Sequence, residues 1–268
     1  LVFSFFQQIG FEVQARGILE VFMKTVVCFG ASLTAGRVSF DYLDLLRARP
    51  ALADFRFINR GVDGDLAWNG LQRLDAVIHD QPEAVSILIG TNDINATLSE
   101  RNRLRYLNFN HLPQDPTLPW YEENLRAIIS RLQQETQARL ALMSLALIGE
   151  DLEHEANKKV ELYNEVIRRL ASEEGLDYLP LHERMVAYLR EHEAERTQLP
   201  PRLAYKDGFT NVCNAIALHA SGMSWDEVSR RNGLQLTTDC LHLNSISGGM
   251  IADLIEGWLI RSFRDDAR

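Results

Sequence analysis

From Lys24 onward, short runs of apolar residues alternate with longer segments in which apolar side chains recur every three or four positions. Thr25-Val26-Val27-Cys28-Phe29 and Ala84-Val85-Ser86-Ile87-Leu88-Ile89 have the length and β-branched content of strands buried on both faces. Phe55-Arg56-Phe57-Ile58-Asn59 reads as a strand between them, and Leu140-Ala141-Leu142-Met143-Ser144-Leu145 as a fourth. Leu176-Asp177-Tyr178-Leu179, following Gly175 at a helix end, reads as a short fifth. Helices are predicted over residues 120–137, 153–171 and 247–262; in the first, Leu125, Ile128, Ile129 and Leu132 form one apolar stripe. Strand and helix in alternation predict an α/β fold with a parallel sheet covered by helices on both faces.

Two stretches break the alternation. Residues 96–119, with Pro113, Pro116 and Pro119, and residues 199–233, with Pro200-Pro201, read as insertions beside the sheet. Their aromatic residues and near neighbours, Tyr106, Phe109, Trp120, Tyr121, Tyr205, Phe209 and Trp225, are expected to anchor these loops to the core rather than to line a pocket. There is no internal repeat, so residues 23–268 are expected to form a single domain. Residues 1–22 stand apart: they lack a basic start, carry Glu12 and Glu20, show no small-residue cleavage site, and make a poor signal peptide. Met23 directly precedes the first strand, and Leu19-Glu20-Val21 can be encoded by purine-rich bases of the kind that bind a ribosome. Met23 is therefore expected to be the native start, with residues 1–22 a non-native extension.

A chain of 268 residues with 46% hydrophobic content can bury one substantial core. Its net charge of -9, without a basic patch, argues against a nucleic-acid partner, since an acidic surface repels phosphate. Three widely spaced cysteines, Cys28, Cys213 and Cys240, form neither a disulfide framework nor a Cys-x-x-Cys metal site. No apolar run approaches the ~18 residues of a membrane span. A soluble, cytoplasmic, bacterial protein is expected, its oligomeric state left open. Carboxylates and histidines lack zinc-type spacing and there is no phosphate-binding glycine motif, so neither metal nor cofactor is expected.

Four segments lie where an open parallel sheet concentrates chemistry, or just ahead of the final helix. They are Phe29-Gly30-Ala31-Ser32-Leu33-Thr34, Asn59-Arg60-Gly61-Val62-Asp63-Gly64-Asp65, Gly90-Thr91-Asn92-Asp93 and Thr238-Asp239-Cys240-Leu241-His242-Leu243-Asn244. Taken singly, the first three have ordinary readings as a helix cap or a turn. The fourth is more pointed. A carboxylate three residues before a histidine can fold back in one turn, bond the imidazole and aim its other nitrogen at a nucleophile. The remaining histidines lack such a partner and read as surface or satisfied core residues.

In order and in kind these four segments resemble the blocks of the SGNH (GDSL-like) hydrolase family: Gly-Asp-Ser-Leu-like, glycine, Gly-x-Asn-Asp and Asp-x-x-His. The resemblance runs from about Met23 to the end of the chain. It implies a three-layer α/β/α sandwich around a flavodoxin-like parallel sheet of about five strands. It also implies a serine ester hydrolase (lipase/esterase class) working through an acyl-enzyme on a small-molecule carboxylic ester. Residue by residue, Ser32 is then the nucleophile, His242 the base and Asp239 its orienting partner. The backbone N–H groups of Ser32 and Gly64 and the side chain of Asn92 form the oxyanion hole, with Gly61 an alternative to Gly64. The chain departs from the pattern at Ala31, where the first block normally carries aspartate, and at Cys240, where glycine is frequent. Loss of that aspartate is expected to alter how the neighbouring loops are held. Alternative readings are a carbohydrate acetylesterase, a lysophospholipase or thioesterase, and, in a different class, a catalytically decayed ligand-binding protein.

Overall fold

The computed structural model describes residues 23–206 and 209–263; the expected extension over residues 1–22 lies outside them. Val26, Val27, Cys28 and Phe29 have no exposed surface: their strand, β1 (Lys24–Gly30), is paired on both sides, and helices cover the two faces to which its side chains point. β1 pairs in parallel with β2 (Phe55–Gly61) and β3 (Ala84–Leu88), and β4 (Arg139–Met143) and β5 (Asp177–Leu179) extend the sheet in the order β2-β1-β3-β4-β5, all parallel. This is the flavodoxin-like order expected from the resemblance, with the strand order switching direction between β1 and β3.

After β1 come α1 (Ser32–Ala35) and α2 (Tyr42–Ala48); after β2, α3 (Ala67–Gln72) and α4 (Asp75–His79); after β3, α5 (Thr91–Ala96), α6 (Glu100–Phe109) and α7 (Leu118–Glu135). α8 (Glu155–Glu173) joins β4 to β5. β5 is followed by α9 (Leu181–Glu191), α10 (Glu193–Arg196), α11 (Phe209–Ala220), α12 (Trp225–Arg231) and α13 (Ser245–Ser262). α2, α9 and α13 pack on one face of the sheet; α3, α7 and α8 pack on the other. The apolar stripe expected in α7 is the buried one, Leu125, Ile128, Ile129 and Leu132.

β4 stops at Met143, short of the run that reads as a strand through Leu145. The reason lies in α8: the side chain of Asn164 accepts from the Leu145 amide at 2.7 Å and that of Asn157 from the Ile148 amide at 3.0 Å, so helix side chains replace the ladder. The two stretches that break the alternation hold helices of their own, α6 in the first and α11 and α12 in the second. α9, which the sequence pattern did not single out, buries Leu181, Met185 and Leu189, four residues apart.

Candidate active site

β1 ends at Gly30, where a Cβ would stand 2.3 Å from Thr34 Oγ1 and 2.4 Å from the Leu88 carbonyl oxygen, so only glycine lets the chain turn this tightly. Ser32 then opens α1, a helix of four residues closed by the left-handed Gly36. An amide in a first helical turn has no partner inside its helix, so the Ser32 N–H is available to a ligand. Ala31, in place of the aspartate of the resemblance, leaves this turn to other groups. Asn59 Nδ2 donates to the Thr34 carbonyl at 2.8 Å, its Oδ1 accepts from the Gly61 amide at 2.9 Å, and Tyr42 donates to Thr34 Oγ1 at 3.2 Å.

His242 comes from the other end of the chain. The preceding run is fixed by Glu150, a buried carboxylate that accepts from the amides of Gln235 (2.8 Å), Leu236 (2.8 Å) and Thr237 (2.9 Å). The Leu243 amide donates to Ser39 Oγ at 2.9 Å, tying the histidine loop to the segment after α1, and Asn244 caps α13. Cys240 adopts a left-handed backbone with φ +78°, which explains why glycine suits the position.

Within this loop Asp239 Oδ1 accepts from the amides of Leu241 (2.9 Å) and His242 (2.8 Å), and Oδ2 lies 2.8 Å from His242 Nδ1. His242 Nε2 stands 3.0 Å from Ser32 Oγ. Both members of the pair are buried. Burial works against the charge on Asp239, but the His242 charge and hydrogen bonds outweigh it and hold the carboxyl below its ordinary range. Burial likewise works against protonation of His242, yet Asp239, with Asp63 adding, raises the imidazole pKa. A carboxylate at Nδ1 keeps that nitrogen protonated and leaves the Nε2 lone pair facing the serine hydroxyl.

Gly64 and Asn92 reach the same place from the ends of β2 and β3. Gly64 has φ +83° and open space where a Cβ would be. Gly61 sits differently: a Cβ there would meet Ala35 N at 2.2 Å, and its own amide already donates to Asn59. Of the two glycines, only Gly61 has its amide engaged by a side chain and backbone packed against its Cα. Asn92 donates from Nδ2 to the Asp65 carbonyl at 2.9 Å, which leaves its second N–H available. A cavity of about 310 Å³ opens over Ser32, Gly64, Asn92 and His242. Leu33, Val38, Phe109, Phe209, Val212 and Leu241 supply apolar side chains to its lining.

The sequence pattern missed three supporting residues. Glu150 is one. Arg73 is another: it pairs with Asp65 at 2.6 Å, donates to the carbonyls of Arg60 (2.9 Å) and Gly30 (2.8 Å), and so binds the ends of β1 and β2 to the glycine segment. Tyr106 is the third; together with Phe109 and Phe209 it lines the cavity, contrary to the expectation that these aromatics serve only as loop anchors. Its place among the aromatic residues of the first insertion was the signal that the sequence offered.

Among the described residues no group of three or more His, Cys, Asp or Glu is gathered to hold a metal ion, and no helix is long and apolar enough to cross a membrane. Residues 28–244 match the GDSL-like lipase/acylhydrolase family. The chain belongs to that family. Membership makes this GDSL-like protein a carboxylic ester hydrolase acting on small-molecule substrates. Among solved structures, the GDSL-like chain is similar to an acetyl xylan esterase at 22% identity and a TM-score of 0.63, over 88% of this chain and 100% of the other. It is also similar to an acetylxylan esterase from Geobacillus stearothermophilus (17% identity, TM-score 0.57, 87% and 92% covered), other structures of which are catalytic mutants of a serine, an aspartate and a histidine. A third is an α/β hydrolase enzyme from the metagenome of Lake Arreo, Spain (16%, TM-score 0.56, 87% and 94%). At these identities the likeness concerns the fold. A comparison with curated proteins by sequence finds no match.

Proposed function

We propose that this GDSL-like hydrolase cleaves carboxylic esters through an acyl-enzyme on Ser32, with His242 as base, Asp239 as its orienting partner, and Ser32 N–H, Gly64 N–H and Asn92 Nδ2 as the oxyanion hole. The observation that carries the reading is the unbroken hydrogen-bonded line Ser32 Oγ, His242 Nε2, His242 Nδ1, Asp239 Oδ2 at the floor of the cavity. His242 takes the hydroxyl proton as Oγ attacks the ester carbonyl carbon. The carbonyl oxygen becomes an oxyanion facing the three donors, and His242 returns the proton to the departing alkoxide. Water then attacks the acyl-enzyme by the same route and frees the acid and Ser32.

The test is covalent labelling with a fluorophosphonate, which phosphonylates an activated serine, followed by peptide mass mapping. The adduct is expected on Ser32, and Ser32→Ala is expected to lose both adduct and hydrolysis. Retained hydrolysis by Ser32→Ala overturns the assignment. A wild-type chain that neither labels nor hydrolyses any ester is the decayed binding protein instead.

The apolar walls of the cavity favour an ester whose acyl or alcohol group is itself apolar, because covering such a group removes its surface from water at about 25 cal/mol per Å². The acetyl xylan esterases among the similar structures favour a second reading, a carbohydrate acetylesterase. Rates on p-nitrophenyl esters from acetyl to octanoyl, beside acetate release from acetylated xylo-oligosaccharides, separate the two. A rise beyond acetyl supports the first, and a preference for the oligosaccharide the second.

A further inference from the structure

A side-chain amide is an ambiguous oxyanion donor, since its two ends have nearly the same shape, and half a turn about its last bond presents oxygen in place of nitrogen. An oxygen lone pair facing a developing oxyanion would repel it. Nothing in Gly90-Thr91-Asn92-Asp93 itself decides which end of Asn92 faces the cavity. The deciding groups are residues of α5 and α6 and the Asp65 carbonyl after β2, and they form a line of hydrogen bonds with a single direction.

The line begins at Arg105, whose guanidinium can only donate, and which donates to Asn102 Oδ1 at 2.8 Å. Asn102 Nδ2 donates to Asn95 Oδ1 at 2.8 Å, which also accepts from the Tyr205 hydroxyl. Asn95 Nδ2 donates to Tyr106 Oη at 3.0 Å, and Tyr106 donates its one proton to Asn92 Oδ1 at 2.8 Å. The line ends as Asn92 Nδ2 donates to the carbonyl of Asp65, which can only accept. A donor-only group at one end and an acceptor-only group at the other leave each amide between them one way round. Asn92, Asn95 and Asn102 are all buried, Asn102 completely, so their hydrogen bonds are made chiefly with one another and with the protein groups named. Burial also raises the phenol pKa of Tyr106 and keeps it a neutral donor.

We infer that Tyr106 is the positioning residue of the oxyanion hole, holding Asn92 with its N–H toward the reacting carbonyl, and that Asn95, Asn102 and Arg105 set the direction in which Tyr106 donates. This rests on the reading of Asn92 as an oxyanion donor. It gives α6 a part in the reaction of the esterase beyond lining its cavity.

Tyr106→Phe removes the hydroxyl alone. On a p-nitrophenyl ester its kcat is expected to fall about 10-fold, the loss of one hydrogen bond, with KM changed less than about twofold. A merely structural tyrosine would lower activity whatever stands at position 92, whereas a positioning one acts only through Asn92. Adding Tyr106→Phe to Asn92→Ala is therefore expected to cost nothing further, within about twofold. Asn95→Asp keeps the shape but replaces a donor to Tyr106 with an acceptor that draws its proton away from Asn92; its kcat is expected to fall at least as far. The inference is overturned if Tyr106→Phe keeps wild-type kcat in a protein that Ser32→Ala inactivates, or if the losses of Tyr106→Phe and Asn92→Ala multiply. An Asn92→Ala protein with wild-type kcat instead overturns the reading of Asn92 on which the inference rests, and an active Ser32→Ala protein overturns the nucleophile assignment.

Discussion

Ser32 Oγ and His242 Nε2, 210 residues apart in the chain, lie 3.0 Å apart beyond the end of β1. The base works only when Nε2 is unprotonated, and Asp239 and Asp63 raise the His242 pKa against the opposing effect of burial. The sign follows directly: protonated imidazole is inactive, so kcat/KM on an uncharged ester rises with pH, and its acid limb has a midpoint above the ordinary imidazole value of 6.5. Asp239→Asn removes the charge and the tautomer control; it is expected to cost about 10⁴-fold in kcat and to move the midpoint down. A wild-type midpoint at or below the ordinary value would contradict this account of the pair.

Asn92→Ala deletes one of the three donors proposed for the oxyanion while leaving serine and histidine in place. Donors of this kind act on charge that develops in the transition state, so kcat is expected to fall about 10²- to 10³-fold with KM little changed. Steady-state kinetics on an activated ester checks it, and a loss confined to KM would mean that Asn92 binds substrate instead.

Gly61 and Gly64 are expected to respond oppositely to alanine. At Gly61 the added methyl meets Ala35 N at 2.2 Å and the Thr34 carbonyl carbon at 2.6 Å, backbone that cannot yield, so Gly61→Ala should lower the melting temperature sharply. At Gly64 the methyl meets open space, and the cost is the left-handed backbone alone, about 1 to 2 kcal/mol. Gly64→Ala should therefore fold, and it loses turnover to the extent that the backbone relaxes out of the left-handed region and turns the residue 64 amide away. Thermal unfolding and kcat measured on both variants decide between the two glycines.

The sheet was legible because five short strand-like runs alternate with amphipathic segments, and the central strands β1 and β3, covered by helices on both faces, are apolar almost throughout. Asp239 and His242 were legible because their contact is local, three residues apart, and short-range spacing is what a sequence displays. Arg73, Glu150 and Tyr106 were not, since each acts on a segment distant in the chain. Glu150 reaches residues 235–237 and Arg73 reaches Gly30, through backbone groups that have no sequence signature. α9 carries the same four-residue apolar spacing as the predicted helices, Leu181, Met185 and Leu189, but in a shorter segment directly after Pro180 and the short β5.

Asp93, next to Asn92, is buried and accepts from the Ala67 amide at 3.0 Å. Burial pushes its carboxyl up to about 8, with Asp65 adding and the backbone hydrogen bonds opposing. The unfolded chain releases this proton near 3.8, whereas the folded protein keeps it until about 8, so ionisation favours the unfolded state throughout that window. The stability that Asp93 contributes is whole below the unfolded pKa and is lost as pH rises through the folded one. Asp93→Asn, neutral at every pH and able to accept the same amide, removes the dependence. Melting temperatures of the two proteins are expected to diverge as pH climbs from about 4 to about 8, with the variant gaining the equivalent of a few kcal/mol over the wild type. Parallel curves across that range would show that folding does not raise the Asp93 pKa and would overturn this account.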